Sequence, residues 1–174
     1  MENNEINNYL SVLINKPLSD IGRIGNMAWF GFGETLSIID PNGNTVKKDS
    51  ISLHVQCAWR LVDKENKAII IAYSDIYEPN SIIEWSKSFE WDIQGNNLFD
   101  EKAKEWIRLN PRVCVKEYKL SMYGDLLLIL SNGNILDIFV DASAKQECWR
   151  LFEYESDKDH FVVNGKGVVF EYEI

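Results

Sequence analysis

Residues that usually carry recognisable chemistry are scarce in this chain. It has three cysteines, Cys57, Cys114 and Cys148, widely separated and without a Cys-x-x-Cys pair. An odd, sparse set of this kind argues against a disulfide framework and fits buried thiols in a reducing compartment. Histidine is scarcer still, with only His54 and His160. Two histidines and three scattered cysteines show none of the ligand spacing of a zinc site. Basic residues are outnumbered 27 to 18, and the net charge of −9 is shared between the two halves of the chain. Nucleic-acid binding needs lysines and arginines clustered to neutralise phosphates, so that class is disfavoured.

Other signatures are missing too. No stretch approaches 18 consecutive apolar residues, so no membrane span is expected, and Met1-Glu2-Asn3-Asn4-Glu5 lacks the positive start of a signal peptide. A cytoplasmic location is the resulting expectation. Gly22, Gly25, Gly31 and Gly33 are followed by neither Gly-Lys-Ser/Thr nor a helix pattern, so they do not read as a phosphate-binding loop. The acidic run from Glu153 to Asp159 lacks the glycine and spacing of a calcium loop and reads as a solvated turn. No nucleophile-elbow sequence is present. No cofactor is implied, and no residue is assigned a catalytic role.

Apolar and aromatic residues, by contrast, are plentiful. The chain is 45% hydrophobic and 12% aromatic, far from the composition of disorder. A folded chain of this length buries roughly 70% of its unfolded surface, enough for a core without staples. Ile6, Tyr9, Leu10 and Leu13 form one face of a short helix capped by Asn3 or Asn4 and stopped by Pro17. Two strands around a Gly25-Asn26 turn follow, then a bend near Gly33. Asp40-Pro41-Asn42-Gly43-Asn44 is a hairpin turn. From Ile51 to Leu61 the alternation is strict: Ile51, Leu53, Val55, Cys57, Trp59 and Leu61 face the core, while Ser52, His54, Gln56, Ala58 and Arg60 face away. This reads as one strand. Ala68 to Tyr73 is apolar enough to be a strand covered on both sides. Ser74 to Gly95 reads as an irregular connection. Asn97 caps a second helix carrying Phe99, Ala103, Trp106 and Ile107 and ended by Asn110-Pro111. Strands then resume to the end.

A shift of 90 residues superposes Leu36 to Asp75 on Leu126 to Gly165 without a gap. Asn42-Gly43-Asn44 meets Asn132-Gly133-Asn134, Gln56 meets Gln146, and Trp59-Arg60-Leu61 meets Trp149-Arg150-Leu151. The expected fold is therefore α+β and β-rich. Two tandem copies of a helix-plus-about-five-strand unit, 1–96 and 97–174, fuse into one barrel-like or sandwich core with pseudo-twofold symmetry. Each copy alone would be marginal, so a single domain over 1–174 is expected.

The repeated tryptophans read as core. The candidate site residues lie on the opposite face: His54, Gln56 and Arg60 in the first copy, Gln146 and Arg150 in the second. Two equivalent arginines could grip a carboxylate or phosphate, and His54, which the repeat does not reproduce, is the candidate for proton chemistry. Leu53-His54-Val55-Gln56-Cys57-Ala58-Trp59-Arg60 and Trp149-Arg150-Leu151-Phe152 resemble motifs of a family of small bacterial proteins with no assigned activity. That resemblance implies a bacterial cytosolic protein and says nothing about catalysis. The leading reading is a non-enzymatic binding or interaction module with a protein partner, a toxin-neutralising immunity protein being one form. The rival is a small-ligand or enzyme domain using Arg60, Arg150 and His54 between the copies. A homodimer subunit is the third reading.

Overall fold

The computed structural model describes residues 3–83 and 89–171. Among the described residues the protein is β-rich, with two antiparallel sheets and two α-helices. Helix α1 (Asn3–Leu10) includes Asn3 and Asn4, the residues expected to precede it as a cap, and passes into a 3-10 turn, Ser11–Leu13. Leu10 and Leu13 are fully buried, with Ile6 and Tyr9 packed beside them. Strands β1 (Leu18–Ile24) and β2 (Met27–Ile39) meet at the Gly25-Asn26 turn. At Gly33 the pairing of β2 with β3 (Thr45–Val55) slips between Phe32 and Thr35. Such a bulge bends the strand and increases its local twist. Asp40 closes its tip by accepting from the backbone N–H groups of Asn42 and Asn44.

The stretch from Ile51 to Leu61 is two strands, not one. The chain leaves β3 at Val55, the Gln56 N–H donates to the Cys148 carbonyl at 2.8 Å, and β4 (Ala58–Asp63) begins in the other sheet. Its alternation survives the corner because the inner faces of both sheets line one core. All six residues from Ile51 to Leu61 expected inside are buried. Strand β5 (Ala68–Ala72) pairs only with β4 and lies at a sheet edge. Ile69 is 57% exposed, so β5 is not covered on both sides.

After the 3-10 turn Tyr73–Tyr77 and an irregular connection comes α2 (Leu98–Leu109), whose Asn97 cap accepts from the Asp100 N–H at 2.9 Å. Phe99, Ala103 and Trp106 form its buried stripe. The remaining strands are β6 (Val115–Leu120), β7 (Leu126–Leu130), β8 (Asn134–Phe139), β9 (Glu147–Glu153), β10 (His160–Asn164) and β11 (Gly167–Glu171). The first sheet has the order β1-β2-β3-β9-β10-β11 and the second β5-β4-β8-β7-β6. Neither sheet closes on itself, so the barrel-like alternative is not what forms. One continuous cluster of buried side chains draws on both sheets and both helices. Phe30 of the first sheet, Trp59 of the second and Phe99 of α2 meet edge to face, with centroids 5.1 and 5.7 Å apart.

The second crossover, between β8 and β9, packs under the last hairpin. A Cβ on Gly165 would overlap the carbonyls of Ala142 and Ala144, which are backbone and cannot swing aside. Gly165→Ala is expected to cost about 1–3 kcal/mol, measured by urea denaturation. An unchanged midpoint would show that this crossover yields freely.

Candidate groove on the outer face of the first sheet

The register of the first sheet sorts its residues into rows. Ile21, Phe30, Leu53, Leu151 and Phe161 are cross-strand neighbours and all are buried, so this row is core. One residue along each strand, Gly22, Trp29, His54, Arg150 and Val162 form the adjacent row, which faces outward. On this face, lined in part by Thr35, Lys47 and Lys48 of the β2–β3 hairpin, lies a groove of about 830 Å³. That volume is in the range of ligand sites. Its lining includes Asp20, Trp29, Lys48, Asp49, His54 and Tyr154.

Two glycines shape its floor. A Cβ on Gly22 would overlap the Trp29 ring, so the indole lies down on the β1 backbone. The Trp29 Nε1–H donates to Asp20 Oδ2 at 2.8 Å, which fixes the ring's orientation. A Cβ on Gly31 would overlap Asp49 Oδ2. The Asp49 carboxylate occupies that space, and its Oδ1 accepts from Ser19 Oγ at 2.9 Å. Burial pushes the Asp49 carboxyl above the ordinary range, and the neighbouring Asp20 charge pushes it the same way. An ionised Asp49 therefore costs the folded state stability at neutral pH, a cost that disappears as pH falls below the unfolded-state value.

His54 sits at the groove's edge and meets Phe152 edge to face at 5.0 Å. Beyond it is a hydrogen-bonded cluster. Arg150 pairs with both carboxylate oxygens of Glu147. Gln56 Nε2 donates to Glu147 Oε1 at 3.1 Å, and the Arg150 guanidinium lies 3.2 Å from His160 Nδ1. A guanidinium only donates, so His160 accepts at Nδ1 and carries its proton on Nε2. His160 in turn stacks on Phe152 at 4.4 Å.

Of the candidates from sequence, His54, Gln56 and Arg150 thus share one neighbourhood, whereas Arg60 does not. Arg60 lies on the outer face of the second sheet, paired with Asp137 at 3.1 Å and set over the Phe139 ring at 5.0 Å. Trp59 and Trp149 both point into the shared core from opposite sheets, which sends the arginines beside them to opposite sides of the molecule. The two cannot grip one anion. Gln146 is exposed in the second crossover, its carbonyl facing the Cys148 thiol. Cys57 and Cys148 are buried and Cys114 half-buried; burial raises the Cys57 thiol well above its ordinary value and moves the Cys148 thiol in the same direction, so neither is a ready nucleophile. Among the described residues, no three His, Cys, Asp or Glu side chains converge as a metal would require, and no helix is long and apolar enough to cross a membrane.

Comparison with family models, curated proteins and solved structures finds no match. Function is therefore read from the groove. Sequence reasoning missed Asp20, Trp29 and Asp49, although one signal was present: a two-residue turn at Gly25-Asn26 sets Gly22 opposite Trp29, and a glycine facing a tryptophan across a hairpin is a place for the ring to lie flat.

Proposed function

We propose that this protein is a non-enzymatic binding module that holds a segment of a protein partner in the groove on the outer face of its first sheet. The observation that carries this reading is the groove's construction. A tryptophan laid over Gly22 and fixed by its hydrogen bond to Asp20, beside the Asp49 carboxylate laid over Gly31, forms a pre-organised floor, and pre-organisation is what lowers the entropic cost of binding. The dispersed net charge of −9 suits a basic partner. A toxin-neutralising immunity protein, a form suggested by the acidic balance and the many aromatics of the chain, is one case of such a module. The separation of Arg60 from Arg150 removes the motif on which an enzyme site between the copies depended.

A photo-crosslinking residue introduced at Thr35 or Lys48, both lining the groove, is expected to capture the partner in cells. The same residue at Arg60, on the other sheet, should not. Capture from Arg60 with none from the groove would place the interface elsewhere and end the groove reading.

We also propose that the fold arose by internal duplication. What supports it is the correspondence of α1 and β1–β5 with α2 and β6–β10. Relabelled this way, the order β1-β2-β3-β9-β10 becomes β6-β7-β8-β4-β5, the second sheet read from its other end. The 90-residue shift also carries the pair Leu36↔Lys48 onto Leu126↔Ile138, and Arg60↔Ala72 onto Arg150↔Val162. Strand β11 has no counterpart, and the β3–β9 and β4–β8 registers differ. Each half gives three consecutive strands to one sheet, β1–β3 or β6–β8, and a strand pair, β4–β5 or β9–β10, to the other, so neither sheet is complete without both halves.

A further inference from the structure

We infer that the floor of the groove receives a basic side chain, arginine or lysine, carried on the partner's polypeptide and seated on Trp29 against Asp20 and Asp49. This rests on the binding reading above and names its chemistry. The Trp29 ring is pressed to the sheet over Gly22 and tied by its N–H to Asp20. An indole face beside carboxylates is the arrangement that attracts a guanidinium or ammonium group. The two carboxylates repel one another across the floor, and among the described residues none of the chain's own cations lies within ion-pair distance of either. Arg23, at one end of the groove, is taken by Asp100 at 2.8 Å. Lys47 and Lys48 stand on the exposed arm of β3, where Lys48 offsets only part of the Asp49 charge. An entering cation would complete both half-satisfied acids, and a guanidinium can do so through paired hydrogen bonds. The lysines on the arm then meet the carbonyls or acids of the partner's flanking residues.

The test titrates the 15N-labelled protein with an arginine-rich peptide, a neutral peptide and a glutamate-rich peptide of equal length, and with spermine as a free amine. The readout is the Trp29 indole N–H resonance, assigned by its loss in Trp29→Phe. The arginine-rich peptide is expected to move it, and Asp49→Asn to weaken that binding about tenfold or more without lowering thermal stability, since the variant removes an ionised carboxylate that burial disfavours. A resonance moved by the glutamate-rich or neutral peptide instead overturns the cationic occupant while leaving the groove a binding site. Spermine binding as tightly as the peptide overturns the polypeptide source. A resonance that no ligand moves overturns the inference, and the crosslinking experiment then decides separately whether the groove binds a partner at all.

Discussion

Arg23→Met should lower the free energy of unfolding by about 3–5 kcal/mol, the cost of stripping the partner from a buried ion pair. Arg23 is 2% exposed, and its guanidinium reaches both Asp100 oxygens, at 2.9 and 2.8 Å, together with the carbonyls of Gly25, Asp92 and Ile93. It is the point where β1, the loop before α2 and the first turn of α2 are tied together. Asp100 additionally accepts the Gly95 N–H at 2.7 Å, so removal of Arg23 leaves a buried carboxylate, committed to the loop before α2, without its counter-charge. The double variant Arg23→Met, Asp100→Asn should lose less than Arg23→Met alone, because the amide keeps an acceptor for Gly95 and leaves no unpaired charge. Urea denaturation of the three proteins measures both quantities. A loss under about 1 kcal/mol for Arg23→Met would mean that water reaches Asp100 and that the pair is worth no more than a surface one. The consequence extends to the groove, since Arg23 and Gln94 both line it.

Much of the fold was legible because its punctuation is local. Gly25-Asn26, Asn42-Gly43 and the Asn97 cap each determine a few dihedral angles from one or two side chains, and each stands where the residues say. What was not legible is what depends on which sheet a strand joins. A period of two says that Leu53 and Trp59 face a core, but it runs unbroken through the Gln56-Cys57 corner because both sheets face the same core. The same blindness governs the site. The repeat relates Arg60 to Arg150, and equivalence suggested proximity; crossing between sheets instead sends them to opposite surfaces. His54 was legible as an outward residue on a central strand. Asp49 was not, because its place over Gly31 depends on the slip in pairing between Phe32 and Thr35, which no pattern in Lys47-Lys48-Asp49-Ser50 announces.

The repeated tryptophans offer the sharpest contrast between equal sequence and unequal environment. Truncation of either to alanine is expected to cost about 3–5 kcal/mol, since both rings are nearly or fully buried. Replacement by phenylalanine should separate them. Trp149 Nε1–H donates to the Gly124 carbonyl at 2.8 Å, and that carbonyl is brought into the core by a backbone only glycine tolerates. Gly124 has φ +93°, and a Cβ there would press on Val163 Cγ1. Trp149→Phe loses ring volume and also strands a buried acceptor. Trp59 Nε1, by contrast, reaches no acceptor among the described residues, so Trp59→Phe removes an indole N–H that was itself unsatisfied and leaves no new orphan. The difference between the two phenylalanine variants should therefore be about 1–3 kcal/mol, with Trp149→Phe the less stable, the range for leaving one buried polar group unmade. Equal losses in urea denaturation would show that ring volume alone decides. A larger loss for Trp59→Phe would mean that its edge-to-face contacts with Phe30 and Phe99, where the two sheets and α2 meet, outweigh a hydrogen bond at the equivalent position.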